Sequence, residues 1–209
     1  MEDSSVPPID DPLASALYAR GTTYEERDQI AELNRKKDWD GLLAFALALM
    51  RRDPGSSDGG VVAGYAWLRL GDYPKAITSL SQVVRQNPED VPAWSLLGEA
   101  QRRAGQPGQA IRTLDRASIV GRTSYVTFFF LGEAYRDAHR LDQATTAYRE
   151  SVRLEPEFAQ GWFELGVACA RIGDKEGFTE ASERLQKLDP TLAGELKKRS
   201  VAGSNRSVR

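Results

Sequence analysis

The chain has 209 residues, of which 41% are hydrophobic and 28% are charged, and its formal net charge is −2. This balance is typical of a soluble helical protein and gives no overall attraction to nucleic acid or to an anionic membrane. One cysteine and one histidine exclude an internal disulfide and a zinc site, and no apolar run reaches the roughly 18 residues of a membrane span. We therefore expect no metal, no cofactor, no nucleic-acid partner and no membrane insertion.

The first 22 residues are acidic and rich in serine and proline. Residues 1–22 are therefore predicted to be largely disordered, with at most a further helical turn or two over residues 12–20. This segment also lacks the basic start and apolar stretch of a signal peptide. That favours a cytoplasmic location, although a leader removed from the chain would leave the same sequence.

A register of 34 residues runs through the rest of the chain. Its clearest members are four glycines, each 34 residues after the one before: Gly64, Gly98, Gly132 and Gly166. Three of them lie four positions after an aromatic residue, which is Trp94, Phe128 or Trp162. Three lie twelve positions before an alanine, which is Ala76, Ala110 or Ala144. Prolines fall in the same frame at Pro54, Pro88, Pro156 and Pro190. Chance does not explain four copies in one register.

These residues resemble the tetratricopeptide repeat, whose signature is W-x2-L-G-x2-Y, then A-x3-F, then P. The repeats are placed at residues 23–56, 57–90, 91–124, 125–158 and 159–192, and the copy at 125–158 matches best. The resemblance implies an all-α fold, a right-handed α-solenoid of antiparallel helix pairs. Residues 191–199 are predicted to form a C-terminal capping helix. The last segment, 193–209, is assigned to this cap and to a basic disordered tail.

The turn between the two helices of a repeat is also marked by its residue types. Gly71, Gly105 and Gly173 are predicted to end first helices with a positive φ, and Asp72 and Asp174 to cap the helices that follow. Since Arg122 stands where proline is usual, Gly121 is expected to end its helix instead.

Nothing in the sequence predicts an enzyme. His139 occupies the inter-helix turn, where other repeats have glycine, and Cys169 falls at a packed position on a first helix. No phosphate-binding loop and no nucleophile elbow is present. We therefore assign no catalytic residue.

The resemblance implies that a groove is lined by places 2, 5, 6, 9, 12 and 13 of the first helices. The candidate peptide-binding residues at these places are Tyr65, Arg69, Glu99, Arg102, Arg103, Phe129, Glu133, Arg136, Phe163, Val167 and Arg171. Phe129 and Phe163 are expected to be exposed anchors beside a stripe of arginines. A peptide that combines apolar and acidic residues would suit such a groove. The alternative is a solvated face, on which glutamates and arginines of one helix pair with each other.

The leading hypothesis is a scaffold or adaptor that binds a peptide segment of a partner protein in this groove. Two alternatives stay open. One is a structural component that associates with itself, and the other is a non-catalytic subunit of a larger complex, such as a secretion or envelope machine.

Overall fold

The structure is a computed structural model, which describes residue 12 and residues 14–17, 20–21, 23–121 and 124–204. Every regular element in these ranges is helical, which confirms the predicted all-α fold. The chain divides into two compact units. Unit 1 contains a 3-10 turn and six α-helices: Ala14–Leu17, α1 Tyr24–Lys36, α2 Trp39–Arg52, α3 Asp58–Leu70, α4 Tyr73–Gln86, α5 Val91–Arg103 and α6 Pro107–Val120. Unit 2 contains five: α7 Tyr125–Asp137, α8 Leu141–Leu154, α9 Ala159–Ile172, α10 Lys175–Leu188 and α11 Pro190–Ser204.

Within each unit the helices pack in chain order. In unit 1, α1 pairs with α2, α3 with α4 and α5 with α6, and the second helix of a pair also contacts the next pair. In unit 2, α7 pairs with α8 and α9 with α10, and α8 also contacts α9. Only two or three residues join the helices of a pair, so the two run antiparallel. Each predicted repeat contains one such pair.

The turns within the pairs have the predicted backbone geometry. Gly71, Gly105 and Gly173 have φ angles of 81°, 75° and 79°. His139, exposed in the turn between α7 and α8, has a φ of 59°. A left-handed residue at this position satisfies carbonyl groups at the end of the first helix. The prediction that His139 is a turn residue is confirmed.

Side chains mark where the helices begin and end. Asp72 and Asp174 cap α4 and α10, as predicted, by accepting hydrogen bonds from the backbone N–H groups of Lys75 and Gly177. Helix α6 ends at Val120, just before Gly121. The φ of Gly121 is −107°, so the reason for glycine there is not a left-handed turn. A Cβ at Gly121 would overlap with the side chain of Val91.

The glycines of the 34-residue register lie where two helices touch. A Cβ at Gly64 or Gly98 would overlap with Leu80 or Leu114 of the second helix in the same pair. Gly132 has the same relation to the ring of Tyr148. The absence of a side chain therefore sets how closely the paired helices approach.

The capping helix is longer than predicted. It runs over Pro190–Ser204 instead of residues 191–199, and it packs against α9 and α10. Proline suits the first turn of a helix because its missing N–H would have no partner there. Ala193 and Leu196 are fully buried, so this helix covers the apolar face of the last pair.

Of the predicted N-terminal segment, residues 1–22, the structure describes residue 12 and residues 14–17 and 20–21. Ala14–Leu17 forms a single 3-10 turn, as the expected turn over residues 12–20 allows, and Arg20 is buried. The turn forms here because Ala14 and Leu17 find an apolar surface on unit 1. Residues 1–11 and the last part of the predicted tail, residues 205–209, lie outside the described residues.

Three further observations bear on function. In the described ranges, no group of three His, Cys, Asp or Glu side chains could hold a metal ion. None of the helices that the structure describes is long and apolar enough to cross a membrane. The thiol of Cys169 is fully buried, as predicted, and burial, followed by a hydrogen bond to Asp174, raises its pKa to about 12. A thiol in this state is unreactive.

Candidate functional site

The first helices of two successive pairs in unit 1 carry the N-terminal segment of the chain. We call the surface of α3 and α5 that residues 14–17 and 20–21 occupy the α3–α5 face. The 3-10 turn packs against α1, α3 and α5, and its residues Ala14 and Leu17 are only 2% and 3% exposed. Residues three apart in a 3-10 turn lie on the same side. The turn therefore presents one apolar side to the helices.

Arg20 fixes the end of this segment to the starts of both helices. Its Nη1 and Nη2 donate to the two carboxylate oxygens of Asp90 at 2.8 and 2.6 Å, so the pair is bidentate. Nη1 also lies 3.4 Å from Oδ1 of Asp58, and the backbone N–H of Gly21 donates to Asp58 Oδ2 at 2.9 Å. Asp58 stands at place 2 of its repeat, one of the places expected to face the groove. The segment thus contacts one of the places expected to face the groove, although Asp58 is not among the candidate residues.

Several hydrogen bonds hold the carboxylate of Asp90 in place. Burial disfavours its charged form, but the hydrogen bonds and charge of Arg20 outweigh that effect, so the pKa of Asp90 lies below its ordinary value. Its Oδ1 also accepts a hydrogen bond from the backbone N–H of Ala93 at 3.0 Å, which caps α5. Ser57 donates to Oδ2 at 3.1 Å. Two carboxylates at this end of the α3–α5 face, Asp58 and Asp90, therefore suit a cation.

The predicted site residues of α3 lie against the first helix pair. Tyr65 is fully buried, its hydroxyl donates to Asn34 Oδ1 at 2.5 Å, and its ring meets Trp39 edge to face at 6.1 Å. The guanidinium carbon of Arg69 lies 4.5 Å from the centre of a Trp39 ring. Tyr65 is therefore a core residue that packs α3 against the first helix pair, and the half-buried Arg69 is held against Trp39 by a cation–π interaction.

The two arginines of α5 share one buried carboxylate. Glu99 is 1% exposed and accepts from Arg102 at 2.7 and 2.9 Å and from Arg103 at 2.6 Å. This is the ion pairing that the alternative interpretation predicted. It leaves Arg103 accessible to a partner but removes much of the positive charge that the stripe of arginines was expected to have.

The expected exposed anchors are buried, which corrects the prediction for Phe129 and Phe163. They are 6% and 3% exposed. The Phe129 ring packs against those of Tyr148 and Phe158, with centres 5.9 and 5.0 Å away. Phe163 lies beneath the guanidinium of Arg199 on α11, 4.9 Å from the ring centre. Neither ring is available as an anchor on the surface.

The charged candidates of unit 2 form a network. Arg136 bonds to Glu133 and Glu164 at 2.7 and 2.9 Å, and the Tyr148 hydroxyl donates to Glu133 at 2.6 Å. Burial, followed by the charge of Glu133, raises the pKa of Tyr148 well above its ordinary value. The network joins α7, α8 and α9 and is thus part of the packing of unit 2.

The two remaining candidates lie further along α9. Val167 is half-buried, and Arg171 is exposed in the last turn of that helix. The structure therefore brings the candidates together in small groups, one around Trp39, one around Glu99 and one around Glu133. In unit 2 the exposed aromatic patch that the sequence predicted does not form, because Phe129 and Phe163 are buried.

Sequence reasoning missed the residues that hold the N-terminal segment. Asp90 directly precedes α5 and resembles an ordinary helix cap, and Arg20 lies in a segment whose composition indicates disorder. The available signal was the apolar spacing of Ala14 and Leu17, three residues apart, ahead of an arginine.

A cavity of about 560 Å³ in unit 2 was also missed. Its walls come from α8, α9, α10 and the turn before α9: Arg149, Val152, Arg153, Pro156, Trp162, Leu165, Glu180 and Arg184. Arg149 donates to Asp174 at 2.5 Å. Because Asp174 caps α10, this pair stabilises the start of that helix.

Comparison with known proteins identifies the architecture. Family models described as tetratricopeptide repeat match residues 68–126 and residues 131–193. Superkiller protein 3 of Schizosaccharomyces pombe is 29% identical over 128 residues, which cover 59% of this chain and 9% of that protein. The matches span only 9% to 13% of the first three curated relatives.

Two solved structures share the fold. TTC0263, a thermophilic TPR protein of Thermus thermophilus, has a TM-score of 0.67 at 18% identity, over 85% of this chain and 98% of its own. YrrB, described as a TPR protein with an unusual peptide-binding site, has a TM-score of 0.60 at 19% identity, over 90% and 98%. The two family matches together cover more than half of the 209 residues. The chain belongs to the tetratricopeptide-repeat family.

Proposed function

We propose that this chain is a non-catalytic adaptor that binds a short segment of a partner protein on its first helices. The observation that carries the proposal is that the α3–α5 face already holds residues 14–17 and 20–21 of the same chain. The segment is held by buried apolar side chains and by a bidentate ion pair. Those are the contacts by which helical repeats bind peptides.

Family and chemistry support the same role. YrrB, a structural neighbour, is described as having a peptide-binding site, and the described part of this chain has no metal-binding cluster. Its only cysteine is buried. We propose a cytoplasmic location for the adaptor.

The candidate residues take different parts in this proposal. The accessible arginines would contact the partner, with Arg103 and Arg171 the most exposed. The buried members would hold the helices in position: Tyr65, Glu99, Phe129, Glu133 and Phe163. An acidic ligand along α5 is disfavoured because Glu99 already pairs with Arg102 and Arg103.

Site-specific photo-crosslinking tests the proposal. A photoreactive residue placed at position 103 on α5 should give a covalent adduct with a partner in native lysate. The same residue at position 112 on α6, where Arg112 is also exposed, is the matched control. Adducts at position 112 alone would place the partner on the second helices and contradict the proposal.

A substitution by alanine gives a second measurement. Arg103→Ala should weaken capture of the crosslinked partner by about three- to tenfold, because it removes an exposed side chain that would contact the partner. Arg112→Ala should leave capture unchanged. Equal effects of the two variants would show that capture does not depend on the surface of α5.

A further inference from the structure

We propose that residues 14–17 and 20–21 are an intramolecular ligand of the α3–α5 face, and that the partner displaces them with a peptide of the same chemistry. That peptide has a small or apolar residue, a leucine three residues later and an arginine three residues after that. The inference rests on the proposed function, because it names the ligand and the regulation of the same face.

The arginine is the feature that the face selects. Asp90 is 6% exposed. Besides Arg20, its carboxylate accepts hydrogen bonds from the hydroxyl of Ser57 and from the backbone N–H of Ala93. A buried carboxylate that loses its cation is strongly destabilising. A neutral or acidic peptide would leave Asp90 in that state. The planar guanidinium of arginine matches both carboxylate oxygens, which a lysine cannot do.

The apolar positions set the spacing. Ala14 and Leu17 are buried on the same side of the turn, and Arg20 continues the interval of three. Ala14 is 2% exposed, so its methyl group lies against the helices. A ligand therefore has a small or apolar residue first, leucine second and arginine third.

The attachment is suited to exchange. The segment contributes one 3-10 turn of four residues, whereas each helix of unit 1 has 13 or 14. A tethered segment acts at an effective concentration of about 1 mM, so it lowers the apparent affinity of a free competitor. A partner that carries the same three side chains on a longer helix gains further contacts along α3 and α5 and displaces the segment.

The test uses the full chain and a fluorescein-labelled synthetic peptide with the sequence of residues 11–23. Fluorescence anisotropy measures its binding to the wild-type chain and to the Arg20→Ala variant. We expect Arg20→Ala to bind the peptide about tenfold more tightly, because its own segment no longer competes. Adding Asp90→Asn, which keeps a capping side chain on α5, should abolish that gain. A peptide carrying Arg20→Glu should not bind.

A second variant guards against misfolding. Leu17→Ala removes a buried side chain but leaves the Arg20–Asp90 pair, and it should also bind the peptide more tightly than the wild-type chain. Circular dichroism of each variant checks that the helices are intact. Gln109→Ala, at an exposed position on α6, is the control and should leave peptide binding at the wild-type level.

Three outcomes contradict the inference in different ways. Equal binding by the wild-type, Arg20→Ala and Leu17→Ala chains means that residues 14–17 and 20–21 do not compete. No peptide binding by any chain, together with partner crosslinking at position 103, leaves the adaptor role standing but refutes the ligand chemistry. Dimers in light scattering that dissociate on Arg20→Ala mean that the segment occupies the face of a second copy.

Discussion

Substitution of Gly132 by alanine tests how closely α7 and α8 pack. A Cβ at this position would lie 2.5 and 2.6 Å from Cε1 and Cδ1 of Tyr148, whereas carbon atoms in contact prefer about 3.5–4.0 Å. The ring would have to move by roughly 1 Å. Tyr148 is fully buried, and its hydroxyl is bonded to Glu133, so the movement would disturb that bond too.

The magnitude follows from three contributions. Overpacking costs about 1–3 kcal/mol, and weakening a hydrogen bond to a charged acceptor costs about 1.5–3 kcal/mol. Alanine is the better helix former by about 1 kcal/mol, which offsets part of the loss. We expect Gly132→Ala to lower the free energy of unfolding by about 3 kcal/mol, and Gly132→Leu by more, since overpacking grows with the size of the side chain.

Urea denaturation followed by circular dichroism measures the loss. The matched control is Gly194→Ala in α11, where a Cβ meets nothing within 4 Å, so that variant should be neutral or slightly more stable. In a Tyr148→Ala background the space is empty, and Gly132→Ala should then cost nothing. An equal loss in both backgrounds would show that the Tyr148 ring is not the obstacle, and the reasoning from close approach would be wrong.

Three further predictions concern single residues. Because burial, and then Asp174, raise the pKa of Cys169 to about 12, a thiol reagent followed by absorbance at pH 8 should react only as fast as unit 2 opens; immediate reaction would contradict this. Asp174→Ala should lower the free energy of unfolding in urea by about 1–2 kcal/mol through loss of the α10 cap, whereas Glu150→Ala, in an exposed pair with Arg153, should cost less than about 1 kcal/mol. The pKa of Asp90 in the folded chain lies below its ordinary value. Its contribution to the free energy of unfolding is therefore complete above about pH 4 and is lost as the pH falls further. NMR signals of the Arg20 guanidinium should move towards those of free arginine only below that pH, and a change near neutral pH would point to another group.

The parts of the fold that the sequence predicted depend on local chemistry. Gly71 and Gly173 end helices because the backbone there needs a positive φ, and Asp72 and Asp174 cap the next helices because free N–H groups follow. These requirements act within a few residues, so they can be read in any sequence. The 34-residue register then predicted which helices pair with each other.

The candidate site could be predicted only in part, because burial depends on distant neighbours. The place of Phe163 in its repeat indicates the groove, but the side chain that covers it, Arg199, comes from another helix. Phe129 is buried by Phe158, from the turn before α9. Arg20 lies in a segment of polar and acidic composition, and its ordering depends on Asp90, 70 residues away. A pattern of neighbouring residues therefore cannot reveal a contact between residues so far apart in the sequence.

The packing of α11 determines how the row of helix pairs stops. In three pairs the space beside the register glycine is filled from the second helix of the same pair, but beside Gly166 the nearest atom belongs to Leu196 of α11. Without α11 the space beside Gly166 would be open and lined by apolar atoms. Another copy of a repeat could pack end to end on such a surface. Head-to-tail addition of this kind produces rings if the rotation between copies closes and open filaments if it does not. Leu196 therefore fills the position that a further repeat would need, and any repeat that extended the row would first have to displace it.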